Sequence, residues 1–282
     1  MPVARIDDPR RVLASIALEP ERSALLAAIL GGFGAGDAAW AWRAGGATNI
    51  AFVVLLARTP FGPLLFGYGF PAGVDNLLHA ALPELPESVR LHFPTEHREP
   101  LDRLFTSLLV PHRVSAVALA DLAEPDERVK PIALGDSDTA EVGAFVAARG
   151  EPALAPDELR AGLHLGLRDG GRLVALASAP IVARAFRRAF VARLAAPPGR
   201  RSRAAAAALH FALARRLLDE GIEFAAHQCP ESDATACALS ESLGYHAQYR
   251  ALFGPGRLRG TREGPREAAP HAPAGPPNRR SA

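Results

Sequence analysis

Apolar and polar positions along the first half of the chain alternate with two different periods. A period near 3.6 residues predicts helices over 8–31, interrupted at Pro20, over 73–82 and over 98–110. Shorter apolar runs, bounded by Gly, Pro and Asn, predict strands between these helices. The predicted strands are 38–43, 50–57, 62–68, 89–93 and 113–119. This order indicates a mixed α/β unit.

The second half repeats the alternation with clearer boundaries. The turn 168–172 holds Asp169-Gly170 between two apolar runs, which is the strongest short-range signal for a β-hairpin. Gly221 and Gly244 follow helical segments and are predicted to end them. The predicted helices are 137–148, one that starts near 156, 202–220 and 234–243, and the predicted strands are 163–167, 173–182, 186–195, 222–228 and 245–253.

Two polar stretches indicate where the chain divides. Residues 123–131 are charged, contain two prolines and have almost no large apolar side chain, which is typical of a domain linker. Residues 255–282 are rich in Gly and Pro and cannot bury enough apolar surface to offset the entropy of ordering. The sequence therefore predicts a domain over 1–122, a linker, a second domain over 132–254 and a disordered tail.

Composition limits the classes of function that this chain can have. Of its 282 residues, 49% are hydrophobic and 22% are charged, as in ordinary soluble globular proteins. The formal net charge of +2 is too small to indicate nucleic acid or an anionic membrane as the main partner. The most apolar region, 45–74, is interrupted by Arg58 and a Pro/Gly-rich stretch, so we expect no membrane span.

Cysteine and histidine usage indicates a reducing compartment and no metal. The two cysteines, Cys229 and Cys237, do not make a disulfide framework, and the nine histidines show no metal-ligand spacing. The N-terminus lacks the apolar core of a signal peptide. We therefore expect a cytoplasmic protein without a bound metal.

The segment 196–209 carries the clearest chemical signal. It joins a predicted strand to a strongly helical segment and contains Arg200, Arg201 and Arg203 among small residues. The first amide groups of a helix have no intrahelical partner, and the helix dipole adds partial positive charge there. A phosphate or pyrophosphate is therefore a natural ligand, to which the arginines would add donors. A solvated, arginine-rich helix start is the alternative.

The order of elements around this segment resembles the GNAT superfamily of N-acetyltransferases over residues 130–254. The family motif Arg/Gln-x-x-Gly-x-Gly/Ala, whose backbone amides hold the CoA pyrophosphate, corresponds to Arg201-Ser-Arg-Ala204-Ala-Ala206, with alanine at both glycine positions. A later family segment is Asn-x-x-Ala-x-x-x-Tyr-x-x-x-Gly-Phe. It corresponds to the stretch that begins at Asp233, has Ser240 in place of the tyrosine and ends at Gly244-Tyr245.

This resemblance implies a set of candidate site residues. Ser240 takes the position of a family tyrosine that protonates the departing CoA thiolate. His227 and Glu223, on the strand after the helix, are the nearest candidates for a general base, and a packed or surface histidine is the alternative for His227. Tyr245 and Tyr249 are candidate acids, and a core position is the alternative for Tyr245. The residues implied to hold acetyl-CoA are Leu194, Ala196, Arg201, Ser202, Arg203, Ala204, Ala206 and Asp233.

The resemblance also implies a fold and a function. We expect an α/β fold with a mixed sheet, in which a GNAT-like domain over 132–254 follows a smaller mixed α/β domain. By analogy with relatives built from tandem halves, the smaller domain is either a separate unit or a degenerate copy of the same fold. The implied reaction is transfer of an acetyl group from acetyl-CoA to the amine of a small molecule or peptide by direct attack. A non-catalytic module that binds acyl-CoA or a protein is the alternative, and the protein is expected to be a monomer or homodimer.

Overall fold

The computed structural model describes residues 3–6, 20–32, 39–45, 50–56, 62–122, 124–125, 129–148, 159–160, 162–195 and 200–259. For 39–42, 44–45, 50, 193–195 and 200–203 the description is limited to the backbone. Within these ranges the chain forms fifteen strands and six α-helices. Most predicted elements are present, with ends shifted by a few residues, and the architecture is mixed α/β as expected.

The first half consists of antiparallel strands followed by a parallel β-α-β unit. Helix α1 follows the first strand, and helix α2 joins the parallel strands β4 and β5. The elements are β1 (Val3–Ile6), α1 (Ala24–Gly32), β2 (Ala39–Gly45), β3 (Ile50–Leu56), β4 (Leu64–Gly69), α2 (Pro71–Ala81), β5 (Ser88–Pro94), α3 (Arg98–Leu104), β6 (Phe105–Ser107) and β7 (Val110–Ala118).

The second half has the same plan, with a hairpin first and a parallel β-α-β unit later. Helix α5 joins the parallel strands β12 and β14. The elements are β8 (Ile132–Ala133), α4 (Thr139–Ala147), β9 (Leu163–Asp169), β10 (Arg172–Ala179), β11 (Ile181–Ala183), β12 (Arg188–Val191), β13 (Arg193–Ala195), α5 (Arg200–Asp219), β14 (Phe224–Pro230), α6 (Ala234–Ser242) and β15 (His246–Leu258).

One large sheet runs through both halves because strands of one half pair with strands of the other. Its order is β1-β2-β3-β4-β5-β15-β7-β14-β12-β11, with β6 paired to β15, and a separate sheet has the order β13-β10-β9-β8. Strand β15, the last of the second half, lies between β5 and β7 of the first. Strand β7 in turn pairs with β14 of the second half. The boundary at 123–131 stays a prediction, and the sheet is continuous across it.

Helices cover both faces of the large sheet. Alternate residues of β3 point to opposite faces, so Phe52 belongs to one core and Val53 to another. On the first face α1 packs over strands of both halves, where Leu26 is buried with Ala226. On the second face α2 covers the first half and α5 covers the second. A Cβ added at Gly32 would lie 2.1 Å from Ile181 Cγ2, so glycine permits the end of α1 to approach β11 closely.

Two sequence predictions are corrected by long-range strand pairing. The helix predicted over 98–110 ends at Leu104, because 105–107 forms β6 against residues 256–258 of β15. The predicted tail contains ordered chain at its start, because β15 continues through Pro255 and Gly256 to Leu258. A Cβ at Gly256 would lie 2.5 Å from Leu91 Cδ1, so its glycine suits this contact. Residues 260–282 lie outside the described part.

Two further predictions fall partly beyond the described residues. Of the helix predicted over 8–31, only 24–32 is described as helical, and 7–19 lies outside. Of the helix predicted from 156, only 159–160 is described. In the described ranges, no helix is both long enough and apolar enough to cross a bilayer.

Candidate functional site

Strands β12 and β14 are parallel neighbours for four residue pairs and then separate. The last pair is Val191 with His227. Ala192 then turns away, since its N–H donates to the carbonyl of Ser178 at 3.0 Å, and β13 continues along β10. The remaining residues of β14, 228–230, pair only on their other edge, with β7, in the described structure. We call the opening after Val191 and His227 the splay.

His227 lies at the start of the splay and is neutral. Its Nδ1 donates to the carbonyl oxygen of Val191 at 2.8 Å, and because a carbonyl oxygen only accepts, Nδ1 must carry the proton. The Nε2 atom therefore has a lone pair. Burial lowers the pKa of His227, and the nearby positive charge of Arg113 lowers it further. A neutral imidazole with a free lone pair can accept a proton, as a general base must.

Tyr245 is placed in the core beside His227. The two rings meet edge to face with centroids 5.8 Å apart. The Tyr245 hydroxyl lies 2.9 Å from Nε2 of His210, a buried residue of α5. Burial raises the pKa of Tyr245 and lowers that of His210 to about 3, so both groups are neutral near pH 7. This contact links Tyr245, the residue before β15, to α5 and directs its phenol hydroxyl toward that helix.

Ser240 and Asp233 lie on helix α6, which packs beside β14. Ser240 is fully buried, and no described residue gives its Oγ a hydrogen-bond partner. Its carbonyl accepts from the N–H of Tyr245 at 3.1 Å, so these two candidates are adjacent. Asp233 caps α6 as expected, because its carboxylate accepts from the N–H of Ala236 at 2.9 Å. This hydrogen bond fixes the exposed carboxylate of Asp233 at the start of α6.

Helix α5 begins near the end of β13, two residues earlier than predicted. Its first residue is Arg200, so the amide groups without an intrahelical partner belong to the residues around 200–202. Ala206 is buried and faces the protein, whereas Ala204, two residues earlier on the helix, is half-buried. Ala196 lies outside the described residues. The side chains of Leu194, Arg201, Ser202 and Arg203 also lie outside the description, and only their backbone is placed.

The corresponding place in the first half is closed. Strands β4 and β5 are also parallel and also separate, and Nε2 of His97 donates to the carbonyl of Gly69 at 2.9 Å. Helix α2, however, begins after a single residue, Phe70, and its first residue is Pro71, which has no N–H. The amides of Gly73 and of the next residue both donate to the Phe70 carbonyl at 3.1 Å.

The Phe70 ring also covers the start of α2, because a Cβ at Gly73 would lie 2.5 Å from its Cζ. Few free donors remain at this helix start, and an aromatic ring covers it. This helix start therefore offers little room for a phosphate group.

Partly buried hydrogen bonds that involve His92, Gln228 and His112 link the two halves on the face of the sheet opposite Tyr245. Nε2 of His92 lies 3.0 Å from Oε1 of Gln228, and Nε2 of Gln228 lies 3.1 Å from Nδ1 of His112. The His92 ring stacks on Phe66 with centroids 4.3 Å apart. Burial lowers the pKa of His92 to about 4, so His92 is neutral near pH 7. These hydrogen bonds connect β5 and β7 of the first half with β14 of the second half, next to the splay.

Sequence analysis identified His227 but missed Val191, which fixes its tautomer, and the polar contacts His210–Tyr245 and His92–Gln228. The two members of each contact are distant along the chain and come together in the tertiary structure. No local motif marks these contacts. In the described part of the chain, no group of three or more His, Cys, Asp or Glu side chains could hold a metal ion.

Comparisons with known proteins concern the fold. No family model and no curated protein matches the sequence. A Drosophila protein of solved structure superposes with a TM-score of 0.60 at 14% identity, over 88% of this chain and 86% of that one. A GCN5-related N-acetyltransferase from Kribbella flavida has a TM-score of 0.52 at 17% identity, over 85% and 94%.

A tandem GNAT protein from the clavulanic acid biosynthesis pathway has a TM-score of 0.50 at 11% identity, over 91% of this chain and 98% of that one. The superposition therefore extends over both halves of the chain. With its two parallel β-α-β units, the chain shares the fold of these N-acetyltransferase structures.

Proposed function

We propose that the second half binds acetyl-CoA and transfers its acetyl group to an amine. The observation that carries this proposal is the splay after Val191 and His227, which is followed along the chain by β13 and then by the start of α5. A parallel strand pair that opens in this way leaves backbone groups free to contact an extended ligand. The helix start can accept the ligand's phosphates. The closed counterpart in the first half supports assignment to one half only.

The cofactor-binding residues are proposed by position. The backbone of Leu194 would contact the acyl end, and Ala196, Arg201, Ser202 and Arg203 would surround the pyrophosphate through amides and guanidinium groups. Ala204 and Ala206 would supply small side chains that let the helix pack close to the sheet. Asp233 would hold the start of α6 on the other side. Together these residues would bind acetyl-CoA and orient its thioester.

The acid–base roles are proposed from protonation states. His227 would take a proton from the attacking amine through Nε2, directly or by way of a water molecule. Backbone N–H groups near Leu194 would stabilise the oxyanion that forms when the amine adds to the thioester carbonyl. Ser240 would lie near the departing sulfur, where its unpartnered hydroxyl could donate. Tyr245 would support His227 and α5 rather than exchange protons with substrate, because its hydroxyl is directed to His210.

Titration calorimetry with acetyl-CoA tests the binding step. Arg201→Glu should weaken binding at least about tenfold, because one charge-assisted contact contributes about 1.5–3 kcal/mol. Arg216→Glu is the matched control, since Arg216 is exposed in the last turn of the same helix. It should leave the affinity unchanged. Equal affinities for both variants would show that the pyrophosphate does not bind at the start of α5.

A screen of amines with radiolabelled acetyl-CoA tests the transfer step. Acetylation of at least one class of amine is expected at a rate above that of the uncatalysed reaction. Binding of acetyl-CoA without transfer to any amine would favour the alternative, in which the scaffold is a non-catalytic acyl-CoA-binding module.

A further inference from the structure

The only two cysteines of the chain are in contact next to the splay. Cys229 lies on β14, two residues after His227, and Cys237 lies on α6. Their Sγ atoms are 3.3 Å apart. Cys229 is buried, whereas Cys237 is half-buried and can be reached from solvent. Both are free thiols in this structure.

A short, tightly bonded segment holds the two sulfurs in this arrangement. The N–H of Asp233 donates to the carbonyl of Pro230 at 3.0 Å, and the N–H of Cys237 donates to the carbonyl of Asp233 at 3.0 Å. The Cys237 thiol also lies 3.7 Å from the Pro230 carbonyl oxygen. A disulfide needs the sulfurs to approach by a further ~1.3 Å, which small side-chain rotations can supply.

The charges around the pair give the two thiols different chemistry. Burial, followed by the hydrogen bond with Cys237, raises the pKa of Cys229 to about 12, so Cys229 stays protonated. Arg113 lies directly opposite Cys229 in the β7–β14 ladder, and its positive charge opposes that rise. Nε and Nη2 of Arg113 are buried without a described partner. Nη1 of Arg113 pairs with the Glu241 carboxylate, and the guanidinium remains a cation next to the two sulfurs.

We propose that Cys229 and Cys237 are a redox-sensitive site that forms a reversible disulfide. With a peroxide as oxidant, the sulfur of Cys237 attacks one peroxide oxygen, the O–O bond breaks, and hydroxide leaves and is protonated to water. The product is a sulfenic acid on Cys237. The sulfur of Cys229 then attacks that of Cys237, the S–O bond breaks, and water leaves as the disulfide forms. Two electrons pass from the sulfurs to the peroxide, and an external dithiol returns them.

The disulfide would join the end of β14 to α6, the helix that carries Asp233 and Ser240. Its formation does not rest on the proposed function, because it follows from the contact of the two thiols alone. The disulfide would form close to the splay, since Cys229 follows His227 by two residues on the same strand. Oxidation therefore acts beside the candidate site.

The test is thiol counting and peptide mass after treatment of the full chain with hydrogen peroxide. No Arg or Lys lies between Arg216 and Arg250, so trypsin leaves both cysteines in one peptide. After peroxide and alkylation, that peptide should carry no alkyl group and weigh two hydrogen atoms less than the reduced form. Treatment with dithiothreitol should restore two alkylated cysteines. The oxidised protein should melt at a temperature raised by about 5 °C, because the cross-link restricts the unfolded chain.

Two single variants identify the order of the steps. In Cys229→Ser, the sulfenic acid on Cys237 has no partner and should be captured by dimedone. In Cys237→Ser, the buried Cys229 should resist peroxide and remain alkylatable after unfolding. The proposal is overturned if the wild-type peptide carries dimedone or a sulfinic acid on Cys237 while Cys229 stays free.

Discussion

Nδ1 of His227 donates to the carbonyl oxygen of Val191 at 2.8 Å, at the last residue pair that β12 and β14 share. The first half contains a related contact, in which His97, beyond the end of β5, donates to the carbonyl of Gly69 at the end of β4 at 2.9 Å. The last residue pair of β4 and β5 is Phe66 with His92, so this contact lies past the point where those two strands stop pairing. Both imidazoles are buried.

Replacing His227 by Gln should slow acetyl transfer by roughly 10²–10⁴-fold, because it removes a general base. The variant leaves the residues proposed to hold acetyl-CoA unchanged, so acetyl-CoA affinity should not change. The wild-type rate should fall as pH decreases through the lowered pKa of His227, and the variant should lack that limb. Steady-state kinetics from pH 4.5 to 8.5 (roughly the range over which His titrates) measures both effects.

His246→Gln is the matched control for that experiment, since His246 is an exposed histidine at the start of β15. It should leave the rate and its pH profile unchanged. A wild-type rate in the His227 variant would assign the proton transfer to another group.

Tyr245→Phe should lower stability more than activity. The change removes the hydroxyl that lies 2.9 Å from Nε2 of His210 and leaves that buried nitrogen without its partner. The expected loss is about 1–3 kcal/mol in the free energy of unfolding, measured by urea denaturation. Catalysis by the folded variant should change by less than about threefold. A large drop in kcat at unchanged stability would instead make Tyr245 a proton donor in the reaction.

Stability should fall on acidification between about pH 6.5 and pH 4. In the unfolded chain His92 binds a proton near its ordinary pKa of 6.5, whereas burial lowers that pKa to about 4 in the folded protein. Between these values the unfolded state binds more protons, so the free energy of unfolding decreases as pH falls. Above pH 6.5 this contribution is fully present. For His92 alone the loss reaches roughly 3 kcal/mol at the lower end of the window.

His92→Gln removes this titration and should flatten the dependence, which urea denaturation at several pH values can follow. Part of the slope should remain, because burial also lowers the pKa of His210, to about 3. His79→Gln, at an exposed position on α2, is the control and should keep the wild-type slope. A slope equal to wild type in His92→Gln would mean that His92 is hydrated in solution.

Two glycine-to-alanine changes should have opposite effects on stability. A Cβ at Gly67 would lie 2.0 Å from Cδ1 of the fully buried Phe93, so Gly67→Ala should destabilise the fold by about 1–3 kcal/mol. A Cβ at Gly143, inside α4, meets nothing within 4 Å. Gly143→Ala should therefore stabilise the fold by about 0.5–1 kcal/mol. Urea denaturation measures both, and stabilisation by Gly67→Ala would contradict the packing of Phe93 on β4.

Local patterns predicted the elements whose causes are local. The Asp169-Gly170 turn is present between β9 and β10, and Gly221 and Gly244 have positive φ angles of 80° and 86° at the ends of their helices. These features depend on residues that are neighbours in sequence. The helix predicted over 98–110 was wrong after Leu104 because the partner of 105–107 is more than a hundred residues away. Helical spacing of apolar residues cannot reveal such a partner.

The candidate site shows the same limit. The resemblance singled out His227, Ser240 and Tyr245 from one-dimensional spacing, and two of these rings do lie together. The break between β12 and β13 was missed, because residues 186–195 have the composition of one continuous strand. The hydrogen bond that sends Ala192 to Ser178 belongs to tertiary structure. The site assignments themselves stay predictions until binding and kinetics are measured.

The insertion of β15 between β5 and β7 has a consequence for folding during synthesis on the ribosome. When β5 and β7 have been synthesised, the strand that will lie between them has not, and it follows more than a hundred residues later. Both strands then present open edges to their surroundings, a condition that invites aggregation. The sheet of the first half is therefore expected to be completed only after β15 has emerged. If the chain is cut at 123–131, the two fragments are expected to remain incomplete separately and to regain the native sheet only when they are combined.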